Sequence, residues 1–274
     1  MIEPPTVAGV NRDGRTPVGY GMSESVRSFE RGLRVIRAFR SGQAEMTLAA
    51  VARETELNRA TARRLLLTLE ELGYVQRRDD RFRLTPRVLD LGYAYISSFG
   101  LPQLALPFLE TLSERLHEAS SVGVLDDTDI VYVARVPAKR VMTVSIGLGS
   151  RFPAYRTSLG RALLASLPED EVRALWEASD RSDPTARTVT TYDALDQKLD
   201  EVRRRGYALV DQELELGVRS IAAPLQDSSG RTIAAINVST HTSRTTKQQL
   251  HDRFIPELLE TARAIDAVLA SQLS

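Results

Sequence analysis

The stretch Asn58–Val75, NRATARRLLLTLEELGYV, changes character halfway. Arg59, Arg63 and Arg64 crowd its first turns, and leucine dominates the rest. That crowding runs against the helix dipole, which disfavours positive charge at an N-terminus. A projection at about 100° per residue resolves the conflict. Ala62, Leu65, Leu66, Leu69 and Leu72 fall in one apolar sector. The opposite sector holds Ala60, Arg63, Arg64, Leu67 and Glu71, with Arg59 and Thr61 on its borders. The arginines therefore occupy the outer face of the leading turns, where a phosphate would reverse the unfavourable charge–dipole term. A major groove admits such turns, and arginine there donates two hydrogen bonds to guanine. Leu67 is the exception, an apolar residue on the outer face.

The flanking segments extend the pattern. Thr47 is a good N-cap for a short helix whose core face is Leu48, Val51 and Ala52, and Asn58 caps the next helix after a break of about three residues. Two helices joined this tightly cross steeply, as in a helix-turn-helix. Upstream, Ser28–Phe39 reads as a helix burying Phe29, Leu33, Ile36 and Phe39. Downstream, Gly73 stops the arginine-headed helix. Tyr74–Val75 and Phe82–Leu84 then read as strands around an Asp79-Asp80 turn flanked by Arg77, Arg78, Arg81 and Arg83. Each feature alone suits a helical bundle with a solvated arginine face. Their order suits a winged helix-turn-helix over residues 23–85, with double-stranded DNA as partner and Arg78 and Arg81 on phosphate or minor groove.

Charge agrees. The chain has net charge zero, yet residues 25–90 hold fourteen arginines against nine acids, while residues 101–274 hold twenty cations against twenty-four acids. A polyanion partner is thus expected for the first part only. Residues 1–22, rich in Gly and Pro, read as a disordered tail. Thr85-Pro86 opens a connector helix over residues 86–100, continued by Val88, Leu89, Leu91 and Tyr95.

Residues 101–274 alternate helical and strand-like segments, which predicts a mixed α/β domain. Helices are expected at 103–117, 157–167, 170–177, 193–205 and 247–273. Strands are expected at 122–125, 130–136, 141–146, 207–211, 220–225 and 232–239, with one sheet face free to build a pocket.

Several chemistries are excluded or disfavoured. With no cysteine, disulfides and thiolate metal sites are impossible. No apolar run approaches the roughly 18 residues of a membrane span, and no secretory leader is evident, so a cytoplasmic location is expected. The three histidines lack metal-site spacing, and no P-loop occurs. Gly147 and Gly149 lack the third glycine of a dinucleotide fingerprint, and Asp126, Asp127 and Asp129 fit a hairpin turn better than a cation site. Ser158 has no nucleophile-elbow context. No cofactor or metal is expected, and an enzyme is the minor reading.

The segment FPAYRTSLGRALLA, residues 152–165, suits binding instead. Tyr155, Thr157, Ser158, Leu159 and Gly160 lie around a helix start, where free backbone N–H groups would hold a carboxylate. Arg135, Arg151 and Arg156 are candidate charge partners, and Ser220, Asn237 and Ser239 lie on strands from which they could enter a cavity.

From about Ser25 onward the chain resembles the IclR family of bacterial transcription regulators. The likeness rests on SFERGLRVIRAF, the helix-turn-helix, FRLTPRVLDLG and RRRGYALVDQELELGVRSIAAPLQDSSG. The segment VYVARVPAKRVMTVSIGLGSRFPAYRTSLGRALLA is similar to a narrower branch, regulators of protocatechuate and 4-hydroxybenzoate breakdown in the β-ketoadipate pathway. The resemblance implies a winged helix, a connector helix and a GAF-like effector domain. It also implies homodimers or dimers of dimers and a small organic acid as effector; RNA polymerase is a further candidate partner for a regulator. Matching motifs put effector contacts on Ser158, Leu159, Ser220, Asn237 and Ser239. Val210 stands where many members carry an acid. That departs from a glyoxylate- or pyruvate-type set and suits a larger, partly aromatic ligand, so an aromatic or ring-derived acid is the expected effector, while Asp211 should point the other way. The alternatives are a regulator of another carboxylic-acid pathway, of glyoxylate or acetate type, a purely architectural DNA binder, and an enzyme of small-acid metabolism.

Overall fold

The computed structural model describes residues 26–39, 44–92, 100–138, 146–182 and 185–272. The expected tail, Tyr95 of the connector and residues 141–145 of one expected strand lie outside them. The chain divides into two compact units, Met1–Ala94 and Tyr95–Ser274, so the division falls within the expected connector.

In the first unit, α1 (Arg27–Ala38), α2 (Leu48–Glu54) and α3 (Arg59–Glu71) precede a hairpin of β2 (Val75–Arg78) and β3 (Arg81–Leu84). Both predicted caps form: Thr47 Oγ1 accepts from the Ala50 N–H at 3.3 Å, and Asn58 Oδ1 from the Thr61 N–H at 2.8 Å. Glu56, in the left-handed region at φ 55°, makes the tight break between α2 and α3. Asp79, also at φ 55°, turns the hairpin. Three points differ from expectation. Met46–Thr47 forms a two-residue strand, β1, that pairs with β3, giving the order β1–β3–β2. And α1 buries Val35 and Ala38, not its whole expected stripe: Phe29 is 68% exposed and Leu33 41%. Only its C-terminal half meets the core with Val51, Leu66, Leu69 and Phe82. Leu72, expected in the core, is 51% exposed. Phe29, Leu33, Leu67, Leu72 and Leu91 instead line one apolar groove, which accounts for Leu67 on the outer face of α3.

The second unit is built on a six-stranded antiparallel sheet. Its strands are β4 (Ala119–Asp126), β5 (Asp129–Val136), β6 (Arg151–Pro153), β7 (Ala208–Asp211), β8 (Val218–Gln226) and β9 (Thr232–His241), in the order β6–β5–β4–β9–β8–β7. Alternation sends Val122, Val133, Ile221, Ala223, Ile236 and Val238 to one face. There they pack against α4 (Leu101–Leu116) and the C-terminal helix α9 (Ile255–Gln272). A one-turn helix, α8 (Lys247–Gln249), and a π-turn at Leu250–Phe254 lead into α9. The other face carries Ala208, Ala222 and Ala235 under α5 (Ser158–Leu164), with α6 (Glu169–Ala178) and α7 (Tyr192–Arg205) outside it. The sheet is therefore covered by helices on both faces, contrary to the expectation of one free face. Small side chains are what let α5 approach: a Cβ on Gly123 would lie 3.0 Å from Leu159 Cδ1. Among the described residues, no helix is long and apolar enough to cross a membrane.

Candidate functional site

In the first unit the leading turns of α3 stand in solvent. Asn58, Arg59, Ala60, Arg63 and Arg64 are exposed and Thr61 is half-buried, while Ala62 and Leu66 are fully buried behind them. Among the described residues, Arg59, Arg63 and Arg64 have no ion-pair partner, unlike Arg34, which holds Glu30 at 2.7 Å. Asn58 and Thr47 spend a side-chain oxygen on capping, so their direct role is to orient the two helices. On the hairpin, Arg78 and Arg81 are Cα partners beside the turn, like charges that disfavour each other without an anion between them. Arg83 is committed elsewhere: its guanidinium donates to Gln76 Oε1 at 2.8 and 3.2 Å, stiffening the base of the wing.

In the second unit, strand register assembles residues distant in sequence. Val210, Ser220, Ser239 and Ala119 form one cross-strand row. Ala208, Ala222, Asn237, Ser121 and Arg135 form the next. Both rows lie on the face covered by α5, since Gly123, two residues from Ser121 along β4, touches Leu159. Arg135 donates to Ser121 Oγ at 3.0 Å, and Asn237 Nδ2 to Ser239 Oγ at 3.3 Å. Tyr132 joins them. Burial pushes its hydroxyl above the ordinary value, and Arg135 and Asn237 pull it back. Burial likewise lowers the Arg135 pKa. This half-buried cation has no carboxylate partner among the described residues.

Two buried polar atoms here find no hydrogen-bond partner among the described residues, Ser158 Oγ and Asn237 Oδ1. Leaving such a group unpaired costs roughly 1–3 kcal/mol. A ligand hydroxyl would relieve either, donating to Asn237 Oδ1, whereas a carboxylate oxygen could accept only from Ser158 Oγ. Ser158, Leu159 and Gly160 are all buried in the first turn of α5. Thr157 is its cap, accepting from the Gly160 N–H at 3.0 Å, so one of the amides expected to hold a carboxylate is already used. A Cβ on Gly160 would sit 2.1 Å from the Ala154 oxygen, so only glycine permits this approach. Tyr155 is taken up in packing, its ring edge-on to Trp176 at 5.1 Å. Arg151 pairs with Asp126 and Asp129, so these acids close the hairpin around an arginine. Asp211 points away from Val210 and accepts from Arg219 at 3.0 and 3.2 Å. No group of acids and histidines among the described residues could hold a metal ion.

Sequence reasoning missed Ser121 and Tyr132. The signal was present: a polar Ser120-Ser121 pair inside an apolar strand.

Residues 28–79 match the IclR helix-turn-helix domain, and residues 93–267 match the C-terminal domain of the bacterial transcriptional regulator IclR. The chain belongs to the IclR family. It is thus a DNA-binding transcriptional regulator and not an enzyme. It is 41% identical to the Pca regulon regulatory protein of Pseudomonas putida over 263 residues, 96% of this chain and 90% of that one. A crystal structure from Rhodococcus sp. RHA1 shares 52% identity and a TM-score of 0.81, covering 91% of this chain and 100% of that one. The inducer-binding domain of the PobR transcription factor from Acinetobacter, solved as a double mutant with 3-hydroxybenzoic acid, shares 35% identity. Its TM-score is 0.56, over 60% of this chain and 97% of that one.

Proposed function

We propose that this regulator controls breakdown of aromatic compounds, and that a small ring-bearing acid in the second unit sets its activity at an operator. The observation that carries this is the polar row under α5: a half-buried Arg135 that donates to Ser121 beside Tyr132 and has no carboxylate partner among the described residues, with atoms on Ser158 and Asn237 that find no partner there either. A cation suits the carboxylate, and the two orphaned atoms suit ring substituents. Val210, 2% exposed, keeps an apolar wall where an acid would repel an anion. The Pca and PobR relatives support an aromatic acid over a two- or three-carbon one. Acting on DNA, the protein works in the cytoplasm.

On DNA, two copies read a pseudo-palindrome with half-sites about 34 Å or a multiple apart, Arg63 and Arg64 in the major groove and the Arg78–Arg81 tip on the backbone or minor groove. The apolar groove of Phe29, Leu33, Leu67, Leu72 and Leu91 supports self-association.

Calorimetric titration of the full chain with 4-hydroxybenzoate and protocatechuate tests the site. Arg135→Met removes a charge-assisted hydrogen bond, so the better ligand should weaken by about 10- to 150-fold, from roughly 1.5–3 kcal/mol. An unchanged affinity would place the carboxylate elsewhere.

A further inference from the structure

Arg161 on α5 and Glu213, two residues past β7, form a buried ion pair that the effector reading leaves without a role. Their side chains are 1% and 9% exposed. The guanidinium donates twice to the carboxylate, at 2.7 and 2.6 Å, and its Nε donates to the Tyr155 carbonyl at 2.8 Å. The Val189 N–H donates to Glu213 Oε2 at 3.2 Å. Thr188 Oγ1 donates to the Glu213 carbonyl at 2.6 Å, and Thr185 Oγ1 to the Gln212 carbonyl at 2.8 Å. Four segments meet here: the turn before α5, α5 itself, the residues after β7, and the 185–189 segment.

Stability alone does not account for the pair. Taking two charges out of water costs several kcal/mol each, and an apolar pair of similar volume often serves as well or better. What apolar packing cannot supply here is register. The larger Ile130 and Tyr132 stand to one side, on β5. Directly beneath α5, β7, β8, β9 and β4 present Ala208, Ala222, Ala235 and Gly123, small residues that do little to fix where the helix stops. A two-pronged arginine–carboxylate contact has a fixed planar geometry and does fix it. One turn before Arg161 on α5 stands Ser158; three residues before Glu213, on β7, stands Val210. These are opposite walls of the proposed pocket. Gln212, left-handed at φ 66°, shows that the backbone bends sharply to bring Glu213 inward.

We propose that Arg161 and Glu213 are positioning residues: they hold the first turn of α5 against the end of β7 and so set the width of the effector pocket. The proposal rests on the pocket reading above.

Its test separates affinity from stability in the full chain, with 4-hydroxybenzoate as titrant and calorimetric unfolding alongside. Glu213→Gln keeps the volume and removes the charge; the double variant R161M/E213L replaces the pair with apolar side chains. The double variant should unfold at or near the wild-type temperature while binding the acid on the order of tenfold more weakly. Glu213→Gln should weaken binding similarly, and its effect should be non-additive with Ser158→Ala by at least about threefold. A merely structural pair would change the unfolding temperature and leave the affinity of the folded protein alone. Asn237→Ala is the reference. If it weakens binding and R161M/E213L binds like wild type, the positioning role is wrong. If Asn237→Ala itself binds like wild type, the pocket reading falls and this inference with it.

Discussion

Gly160→Ala is a change that helix propensity favours and this structure forbids. In an ordinary helix it stabilises by about 1 kcal/mol. Here the added carbon would stand 2.1 Å from the Ala154 oxygen, 2.3 Å from its Cα and 2.5 Å from its carbonyl carbon. All three are backbone atoms, so no side chain can swing aside. To reach ordinary contact at 3.4 Å or more, either the Ala154–Arg156 turn or the first turn of α5 must retreat by at least about 1.3 Å. Overpacking a core costs about 1–3 kcal/mol, and a clash with rigid backbone belongs at the upper end. After the propensity gain, a net loss of about 2 kcal/mol remains. For a unit of this size that is about 4–8 °C in unfolding temperature. Scanning calorimetry of the full chain reads the shift. Ser158 stands in that first turn and the Ala154–Arg156 turn leads straight into it, so either retreat shifts Ser158, and affinity for the aromatic acid should fall in the same variant. An unfolding temperature at or above wild type, with unchanged affinity, would refute the claim that α5 is held at its first turn.

Arg63→Ala should cost roughly 1–3 kcal/mol on the operator and little on random DNA, whereas Arg78→Ala should weaken both alike and lower the salt slope by about 1; electrophoretic titration at several salt concentrations separates the two. Asn58→Ala deletes the cap on the Thr61 N–H and should destabilise the first unit by about 1 kcal/mol, read by thermal denaturation. Asp211 gives a pH dependence. Burial pushes its carboxyl up, but the bonds and charge of Arg219 outweigh that and bring it below the ordinary 3.8. Its stabilisation is therefore complete above that value and lost as pH falls through the lowered one. Asp211→Asn should lower the unfolding temperature at neutral pH and flatten the loss below pH 3.8; parallel acid limbs in the two proteins would contradict this.

Local chemistry made much of this fold legible. Caps at Thr47 and Asn58 and the Asp79-Asp80 turn each depend on a few neighbouring residues, and each formed. The row Val210–Ser220–Ser239 was legible in part from strand alternation, with Asp211 directed away as the period of two requires. Amphipathic periodicity, by contrast, names an apolar face without saying what covers it. Phe29 and Leu33 were therefore read as core, although the fold of one chain leaves them in a groove. The same blindness hid the second cover of the sheet, since a helix arriving from distant sequence leaves no mark on the strand it covers. Arg161 and Glu213 lie 52 positions apart, beyond the reach of any local pattern that could pair them. Tyr155 was read from its neighbours in the binding segment, but Trp176 claims its ring. The two-residue strand β1 is too short to carry a period at all.

Thermal unfolding of the full chain against 4-hydroxybenzoate, protocatechuate, β-ketoadipate, shikimate, glyoxylate and pyruvate tests the central claim most directly. A ligand at 100 times its dissociation constant adds about 2.7 kcal/mol to the folded state, roughly 5–11 °C for a unit of this size. The account predicts such a shift with one aromatic or ring-derived acid of the panel, and its loss in Asn237→Ala. A shift with glyoxylate or pyruvate alone, or with none of the six, would contradict it.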